Sequence, residues 1–167
     1  SDVYINNHNG TFTESGAKHF NHYSRFSMGN DLADFNNDGQ LDIITVDMLP
    51  ADEKTLKSYG ADESYDQYRF KITKNGFQNQ YSRNSLQKNM GNGEAFSEVG
   101  LMNGIAATDW SWSPLMADFD NDGVKDLFIA NGIKRRALDM DYVSFISNDQ
   151  VQAMLTSGNG ADSAVLE

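Results

Sequence analysis

The stretch "DFNNDGQLDI" at residues 34–43 carries oxygen-bearing side chains at alternate positions up to a glycine, and then returns to apolar residues. Nearly the same stretch, "DFDNDGVKDL", occurs at residues 118–127. Upstream of each, "NNHNGTFTESG" (6–16) matches "NMGNGEAFSEVG" (89–100), with one additional residue in the second turn. A repeat of such long period indicates an architecture in which one unit cannot bury its apolar face alone.

Each copy is predicted to form about four short strands. In the first copy, "VYINN" and "TFTES" flank a turn whose Gly10 can adopt positive φ, which is typical of a hairpin. "MGNDLADF" then enters the acidic turn, and "LDIITVDM" leaves it with the β-branched, apolar composition of a buried strand. The pattern predicts an all-β fold with a few short helices.

The segment between the copies, residues 50–81, has a different pattern. Ser64 and Gln67 form a capping box, and Gly76 supplies a stop signal, so a short helix is predicted there. After Lys134 the repeat ends and a helical tail is predicted, with a second capping box and one apolar helical face. The residues of that tail pattern are Ser147 and Gln150, then Val151, Met154 and Leu155.

The composition limits the classes of function. The chain has 167 residues and a formal net charge of −11, which suits one domain or a piece of a larger protein and argues against nucleic-acid binding. It has no cysteine, so disulfides and zinc–cysteine sites are excluded. No apolar run is long enough to span a membrane, and no signal peptide is recognisable. Because "SDVYINN" reads as the middle of a strand, we interpret the chain as an excised piece.

The two acidic turns have the spacing of a cation-binding loop. Oxygen ligands at positions 1, 3, 5 and 9, a backbone carbonyl at position 7 and a glycine at position 6 can surround a hard cation. The predicted metal ligands are Asp34, Asn36, Asp38, Asp42 and the carbonyl of Gln40 in the first loop, and Asp118, Asp120, Asp122, Asp126 and the carbonyl of Val124 in the second.

Calcium is the predicted occupant of both loops. Two carboxylates about 4 Å apart repel by roughly 4 kcal/mol at the effective dielectric of a protein surface, and a divalent cation reverses that term. Ca²⁺ accepts irregular oxygen cages that Mg²⁺ does not. Asp, Asn and Gly also populate ordinary exposed turns, but the same spacing in two copies favours metal. An EF-hand is excluded because position 12 is Thr45 or Ile129 rather than Glu, and because strands follow both loops.

Other conspicuous residues are assigned structural roles. His8, His19 and His22 lack a complementary ligand set, so they are interpreted as hydrogen-bonded or solvated loop residues rather than zinc or catalytic groups. Trp110 and Trp112 point the same way on a strand, which favours packing between sheets over a ligand platform.

Further aromatic and basic residues receive similar interpretations. Phe35 and Phe119 are predicted to anchor the loops to the core. The aromatic residues of the insertion form either its own small core, which we favour, or a platform for a sugar or protein: Tyr59, Tyr65, Tyr68, Phe70, Phe77 and Tyr81. The basic run 134–136 is predicted to be a solvated strand end.

The stretches "ADFNNDGQLDIITVD" and "ADFDNDGVKDLFIANG" resemble the calcium loops of FG-GAP/VCBS repeats. The hairpin "INNHNGTFTESG" and the segment "TDWSWSPLMADFDNDG" are similar to the ASPIC/UnbV-type variant found in large bacterial surface proteins. The resemblance covers residues 3–49 and 84–133. It implies a β-propeller of four-stranded blades, as in integrin α-subunits, with calcium held between consecutive strands.

A closed propeller needs at least four blades, whereas this chain supplies about two four-stranded antiparallel blades, so a partial β-propeller is expected. The insertion and the tail have no counterpart in the repeat. The predicted divisions are residues 1–49, propeller strands with the first calcium loop; 50–81, a partly helical insertion; 82–134, propeller strands with the second loop; and 135–167, a helical tail.

The resemblance implies a calcium-binding segment of an extracellular or cell-surface protein that serves adhesion or ligand binding, with structural calcium. The expected partners are a protein or glycan ligand and neighbouring blades, with no nucleic acid. No catalytic residues are predicted, because both loops already use most of the suggestive carboxylates. The alternatives are a propeller domain of a carbohydrate-active enzyme, either a lyase or a hydrolase, and a calcium-switched signalling module, which rigid strand turns disfavour.

Overall fold

The computed structural model describes residues 2–60, 64–91, 95–134, 136, 139–149 and 152–153. Short strands dominate the described part of the chain, and short helices interrupt them. The strands are β1 (Tyr4–Asn6), β2 (Phe12–Glu14), β3 (Tyr23–Ser24), β4 (Gly29–Ala33), β5 (Asp42–Val46), β6 (Met48–Leu49), β7 (Gln80–Tyr81), β8 (Ser85–Asn89), β9 (Phe96–Glu98), β10 (Asp109–Ala117) and β11 (Asp126–Asn131). The helices are α1 (Gly16–His19), α2 (Glu53–Ser58), α3 (Tyr65–Asn75) and α4 (Met140–Ile146).

One sheet has the four antiparallel strands of a propeller blade, in the order β4-β5-β8-β9. Its first two strands come from the first repeat copy and its last two from the second copy. The residues between β5 and β8 include the predicted insertion. The prediction of an all-β, propeller-like fold with a few short helices is therefore confirmed.

The remaining repeat strands form half-blades. β1 and β2 form an antiparallel hairpin, as predicted, and β10 pairs with β11 on one side and with the short β6 on the other. Ala117 lies opposite Asp126 in the same register in which Ala33 lies opposite Asp42. Each copy thus supplies four strands, but a blade is completed only by strands from both copies. β3 and β7 form a separate parallel pair.

The core lies where β10 packs on the four-stranded sheet. Ile44, Val46, Leu86 and Met116 form one buried cluster. Ile44 and Val46 have no exposed surface because alternate residues of β5 point toward β10. Phe35 packs against this cluster, which confirms its predicted anchoring role. Phe119 is more than half exposed, so its predicted anchoring role is wrong in this structure.

The chain divides into two units of internal contact. One comprises Ser1–Ala51 and Glu63–Ile133 and contains all of the strands; the other comprises Asp52–Asp62 and Lys134–Glu167. Within the described residues, no helix is long and apolar enough to cross a membrane.

The helices α2, α3 and α4 begin at side-chain caps, whereas α1 has no side-chain cap hydrogen bond. The predicted capping box of Ser64 and Gln67 starts α3, and Gly76 ends it in the left-handed conformation, so both predictions are confirmed. Asp52 and Asp139 cap α2 and α4 through hydrogen bonds to the backbone N–H groups of the first turn. Of the predicted tail pattern, Ser147 follows the end of α4, whereas Gln150, Val151, Met154 and Leu155 lie outside the described residues.

Candidate metal-binding loops

Both acidic loops connect antiparallel strands at equivalent places, between β4 and β5 and between β10 and β11. Each turns through two left-handed residues, at φ 58° for Asn37 and 85° for Gly39, and at φ 61° for Asn121 and 88° for Gly123. Asn and Gly tolerate this conformation at low steric cost. The same backbone path at both places shows that the sequence repeat is also a structural repeat.

The first carboxylate of each loop organises the turn. Asp34 accepts hydrogen bonds from the backbone N–H of Asp38 at 3.0 Å and of Gly39 at 2.8 Å. Asp118 accepts the two equivalent hydrogen bonds at 3.1 and 2.9 Å. These contacts draw both oxygens of each carboxylate toward the inside of its loop.

The last carboxylate of each loop differs in its surroundings. Asp42 is fully buried; its Oδ2 accepts from the N–H of Phe35 at 3.1 Å and its Oδ1 from the N–H of Asn89 in β8 at 2.8 Å. Asp126 accepts the equivalent hydrogen bond from the N–H of Phe119 at 3.1 Å but is exposed. The first loop is therefore tied to the third strand of its blade.

Asp38 at position 5 is surrounded by donors. The amide of Asn36 donates to its Oδ2 at 2.8 Å, the N–H of Gln40 donates to its Oδ1 at 3.0 Å, and Lys88 Nζ lies 3.7 Å from Oδ2. The hydrogen bond from Asn36, with that from Gln40, lowers the pKa of the Asp38 carboxyl below its ordinary value. The group is therefore charged at neutral pH, as a carboxylate ligand of calcium must be.

The second loop gathers three carboxylates. Asp118, Asp120 and Asp126 each place a carboxylate oxygen within 4.8 Å of the others, and together they could hold a metal ion. This group does not include Asp122 in the described structure, where its Oδ1 accepts from the N–H of Val124 at 2.8 Å. The first loop has Asn36 in the place of Asp120, so its corresponding set contains one charge fewer.

The two loops contact each other. The side-chain amide of Asn37 donates to the backbone carbonyl oxygen of Gly123 at 2.7 Å. Gln40 and Val124 show hydrogen bonds through their backbone N–H groups. Their predicted role as carbonyl ligands stays a prediction, as does the ligand role of each side chain predicted above.

A second polar cluster, away from the acidic loops, consists of His22, Arg83 and Glu98. Arg83 Nη2 lies 2.9 Å from Glu98 Oε2 and 3.1 Å from His22 Nε2, and Glu98 Oε1 also accepts from the N–H of Gly100 at 2.6 Å. Burial, followed by the charge of Arg83, lowers the pKa of His22. His22 is thus hydrogen-bonded, which agrees with the structural interpretation. Glu98 was not predicted from the sequence, and the Glu-x-Gly that recurs at 14–16 and 98–100 is the signal that could have indicated it.

Asp47 is the other buried carboxylate that the sequence did not single out. It is fully buried, and its side chain accepts hydrogen bonds from Ser24 Oγ at 2.6 Å, from the N–H of Phe26 at 2.9 Å and from the N–H of Met48 at 2.7 Å. Its own N–H donates to the side chain of Asn84 at 2.7 Å. These bonds connect three segments of the strand unit, residues 24–26, residues 47–48 and Asn84, which is a structural role.

The aromatic residues only partly match their predicted roles. The rings of Trp110 and Trp112 lie 6.4 Å apart, and Trp112 donates from Nε1 to the carbonyl of Gly132 at 2.8 Å while remaining about half exposed. Tyr65 and Phe70 are exposed on α3, which has no buried residue, so they do not form the small core expected of the insertion.

Tyr68 stacks on Tyr81 with ring centroids 6.5 Å apart. Of the basic run 134–136, Lys134 is exposed, as predicted, whereas Arg136 is half-buried, and Arg135 lies outside the described residues.

Comparison with known proteins agrees with this geometry. A family model described as an FG-GAP-like repeat matches residues 1–45 and 76–129. These ranges include both acidic loops and all or most of each strand that the two repeat copies supply, whereas β6 lies outside them. Searches of the curated proteins and of the solved structures gave no match.

Proposed function

Because this chain belongs to the FG-GAP-like repeat family, we propose that it is a calcium-binding segment of a β-propeller in an extracellular or cell-surface protein. The ions have a structural role, and the parent protein serves adhesion or the binding of a protein or glycan ligand. This segment supplies no catalytic group.

The observation that carries the calcium proposal is the group of Asp118, Asp120 and Asp126, whose carboxylate oxygens lie within 4.8 Å of one another. Three negative charges at such distances repel, each pair by roughly 3–4 kcal/mol at an effective dielectric of 20. A divalent cation turns this repulsion into attraction. Hard carboxylate oxygens and an irregular loop suit Ca²⁺ better than the strict octahedron that Mg²⁺ needs.

The structural role of calcium is supported by where the loops lie. Each loop joins two neighbouring strands of one sheet, and the hydrogen bond from the side-chain amide of Asn37 to the backbone carbonyl of Gly123 connects the two loops. An ion that holds the first and last carboxylates of a loop together also holds the ends of its two strands together. By analogy with extracellular modules, the expected dissociation constants are about 10⁻⁴ to 10⁻³ M.

Isothermal titration with Ca²⁺ tests this proposal. Asp38→Ala and Asp122→Ala should each weaken one binding event, whereas Asp66→Ala, a change of the same kind at an exposed position of α3, should leave both unchanged. The second loop should bind more tightly, because Asp120 adds a charge where the first loop has Asn36. Absence of calcium binding, or equal affinity of the two loops, contradicts the corresponding part of the proposal.

Thermal unfolding separates a scaffold from a catalytic role for the ion. A structural ion raises the melting temperature with increasing calcium, by mass action on the folded state. A carbohydrate-active enzyme would instead lose turnover on calcium removal at a temperature where the fold persists.

A further inference from the structure

β11 is the repeat equivalent of β5. The side of β5 that faces away from β4 is paired with β8, and the equivalent side of β11 is the one that faces away from β10. β10 and β11 repeat the register of β4 and β5, and β5 carries β8 on its other side. Within the described residues, β11 is one of the two edge strands of its sheet, and β6 is the other. An unpaired edge presents backbone N–H and C=O groups that can accept a further strand.

The hairpin β1–β2 has the pairing of β8–β9. Asn6, the last residue of β1, lies opposite Phe12, the first residue of β2. In the same way Asn89, the last residue of β8, lies opposite Phe96, the first residue of β9. The hairpin carries exposed apolar side chains at Tyr4, Ile5 and Phe12. A hairpin of this form is the unit that completes the sheet of β4 and β5.

The faces of the two half-blades show complementary exposure. Phe128 is 57% exposed, whereas Ile44, its equivalent in the first copy, is fully buried. Leu32 is 53% exposed, whereas Met116, its equivalent in the second copy, is only 8% exposed. Ile44 and Met116 belong to the same core cluster. Leu32 and Phe128 are thus the repeat equivalents of a pair that is buried together.

The second acidic loop lacks a contact that the first loop has. Oδ1 of Asp42 accepts from the N–H of Asn89, the last residue of β8. Asn6 is the residue of the first copy that aligns with Asn89. The donor that would complete the second loop in the same way is therefore the N–H of an Asn6 placed beside β11. Asp126 is exposed where Asp42 is fully buried, so this loop is incomplete without a β1–β2 hairpin beside it.

We propose that a second copy of this chain docks head to tail on the β10–β11 half-blade. Its β1–β2 hairpin adds to the edge of β11, its Leu32 packs against Phe128, and its Asn6 N–H completes the Asp126 carboxylate. The loop contact repeats as well: Asn121 of one copy donates to the carbonyl of Gly39 in the next, as Asn37 donates to Gly123 within one copy.

The docking is heterologous, because the surface that receives the hairpin differs from the surface that supplies it. Such an interface continues from copy to copy and produces either a closed ring or an open chain. The contacts lie between protein groups, so the docking does not require that the metal in the loops be calcium.

Sedimentation velocity of the full chain over a range from low micromolar to near-millimolar concentration tests the docking, in EDTA and in calcium. The weight-average mass should rise above the monomer value of 18.6 kDa with concentration. Phe128→Lys and Leu32→Glu should each weaken association by about tenfold or more, because each places an unpaired charge in an apolar contact. Phe70→Lys is the matched control, since Phe70 is 58% exposed on α3.

A mixture of the two variants distinguishes this geometry from a symmetric contact. In a head-to-tail contact, Leu32 of the Phe128→Lys variant meets Phe128 of the Leu32→Glu variant, so this interface is native on both sides. The other interface places the introduced Lys against the introduced Glu. Association of the mixture should therefore recover. If Leu32→Glu associates like the unmodified chain, or if the mixture does not recover, the geometry is wrong. A chain that stays monomeric at the highest concentration overturns the docking, whatever its calcium affinity, so this result is separate from that of the calcium titration.

Discussion

Replacing Asp42 by Asn should destabilise the protein even without metal, whereas the same change at Asp126 should not. In Asp42, two oxygens accept from two different N–H donors, of Phe35 and Asn89, in a fully buried place. An asparagine offers only one oxygen and turns its NH₂ group toward the other donor. In Asp126 one oxygen accepts from Phe119 and the residue is exposed, so asparagine can keep that bond.

The magnitude follows from these contacts. A buried donor left without an acceptor costs about 1–3 kcal/mol, so Asp42→Asn should lower the free energy of unfolding by about 2 kcal/mol. Asp126→Asn should change it by no more than about 0.5 kcal/mol, as is typical of exposed positions. With an m-value of about 2 kcal/mol/M, the first change shifts the urea midpoint by about 1 M.

Urea unfolding followed by circular dichroism at low micromolar protein concentration, in EDTA, measures both values. Asp126→Asn serves as the matched control, because the residue type and the loop position are the same. If the two variants have the same midpoint, the hydrogen bond from Asn89 does not stabilise the first loop, and the argument from burial fails. In calcium, both variants should lose part of the metal-dependent stabilisation.

Three further changes test other contacts. Asp47→Ala removes the carboxylate that accepts three hydrogen bonds in a buried place and should cost about 3–5 kcal/mol in urea unfolding. A loss below about 1 kcal/mol would contradict the network. Lys88→Gln removes a cation that lies 3.7 Å from Asp38 and would repel a bound Ca²⁺. Calcium titration at low salt should show an affinity of the first loop about three- to tenfold higher. Unchanged affinity would exclude repulsion between Lys88 and the ion. The pKa of His22 is lowered below 6.5 in the fold, so its contribution to stability should be full above that pH and should be lost as the pH drops through the folded-state pKa. In His22→Gln, the melting temperature should no longer show this pH dependence. An unchanged pH profile of melting would refute the assignment to His22.

The local structure of the loops was predictable from the sequence because it depends on short-range chemistry. Asn37 and Gly39 adopt left-handed backbone, and Asp34 accepts from N–H groups four and five residues later. Such contacts are determined by residue type and spacing within one turn. The same holds for the capping box of Ser64 and Gln67, which involves residues three apart.

Contacts between distant segments were not predictable in this way. The sequence alone does not indicate that Asp42 is tied to Asn89 while Asp126 is exposed, because the two loops have the same spacing. Phe35 and Phe119 occupy equivalent positions, yet Phe35 packs on the core cluster and Phe119 is exposed. In each pair, the neighbouring strands decide the difference.

The sequence by itself therefore determined the repeat, the strand-rich class and the two acidic turns, since each depends on residues close together in the chain. Only the tertiary structure decided that one blade is built from both copies and that, within the described residues, β11 is unpaired on its outer side. Those properties depend on which strand lies beside which, and this pairing is a balance of packing and hydrogen bonding over the whole sheet.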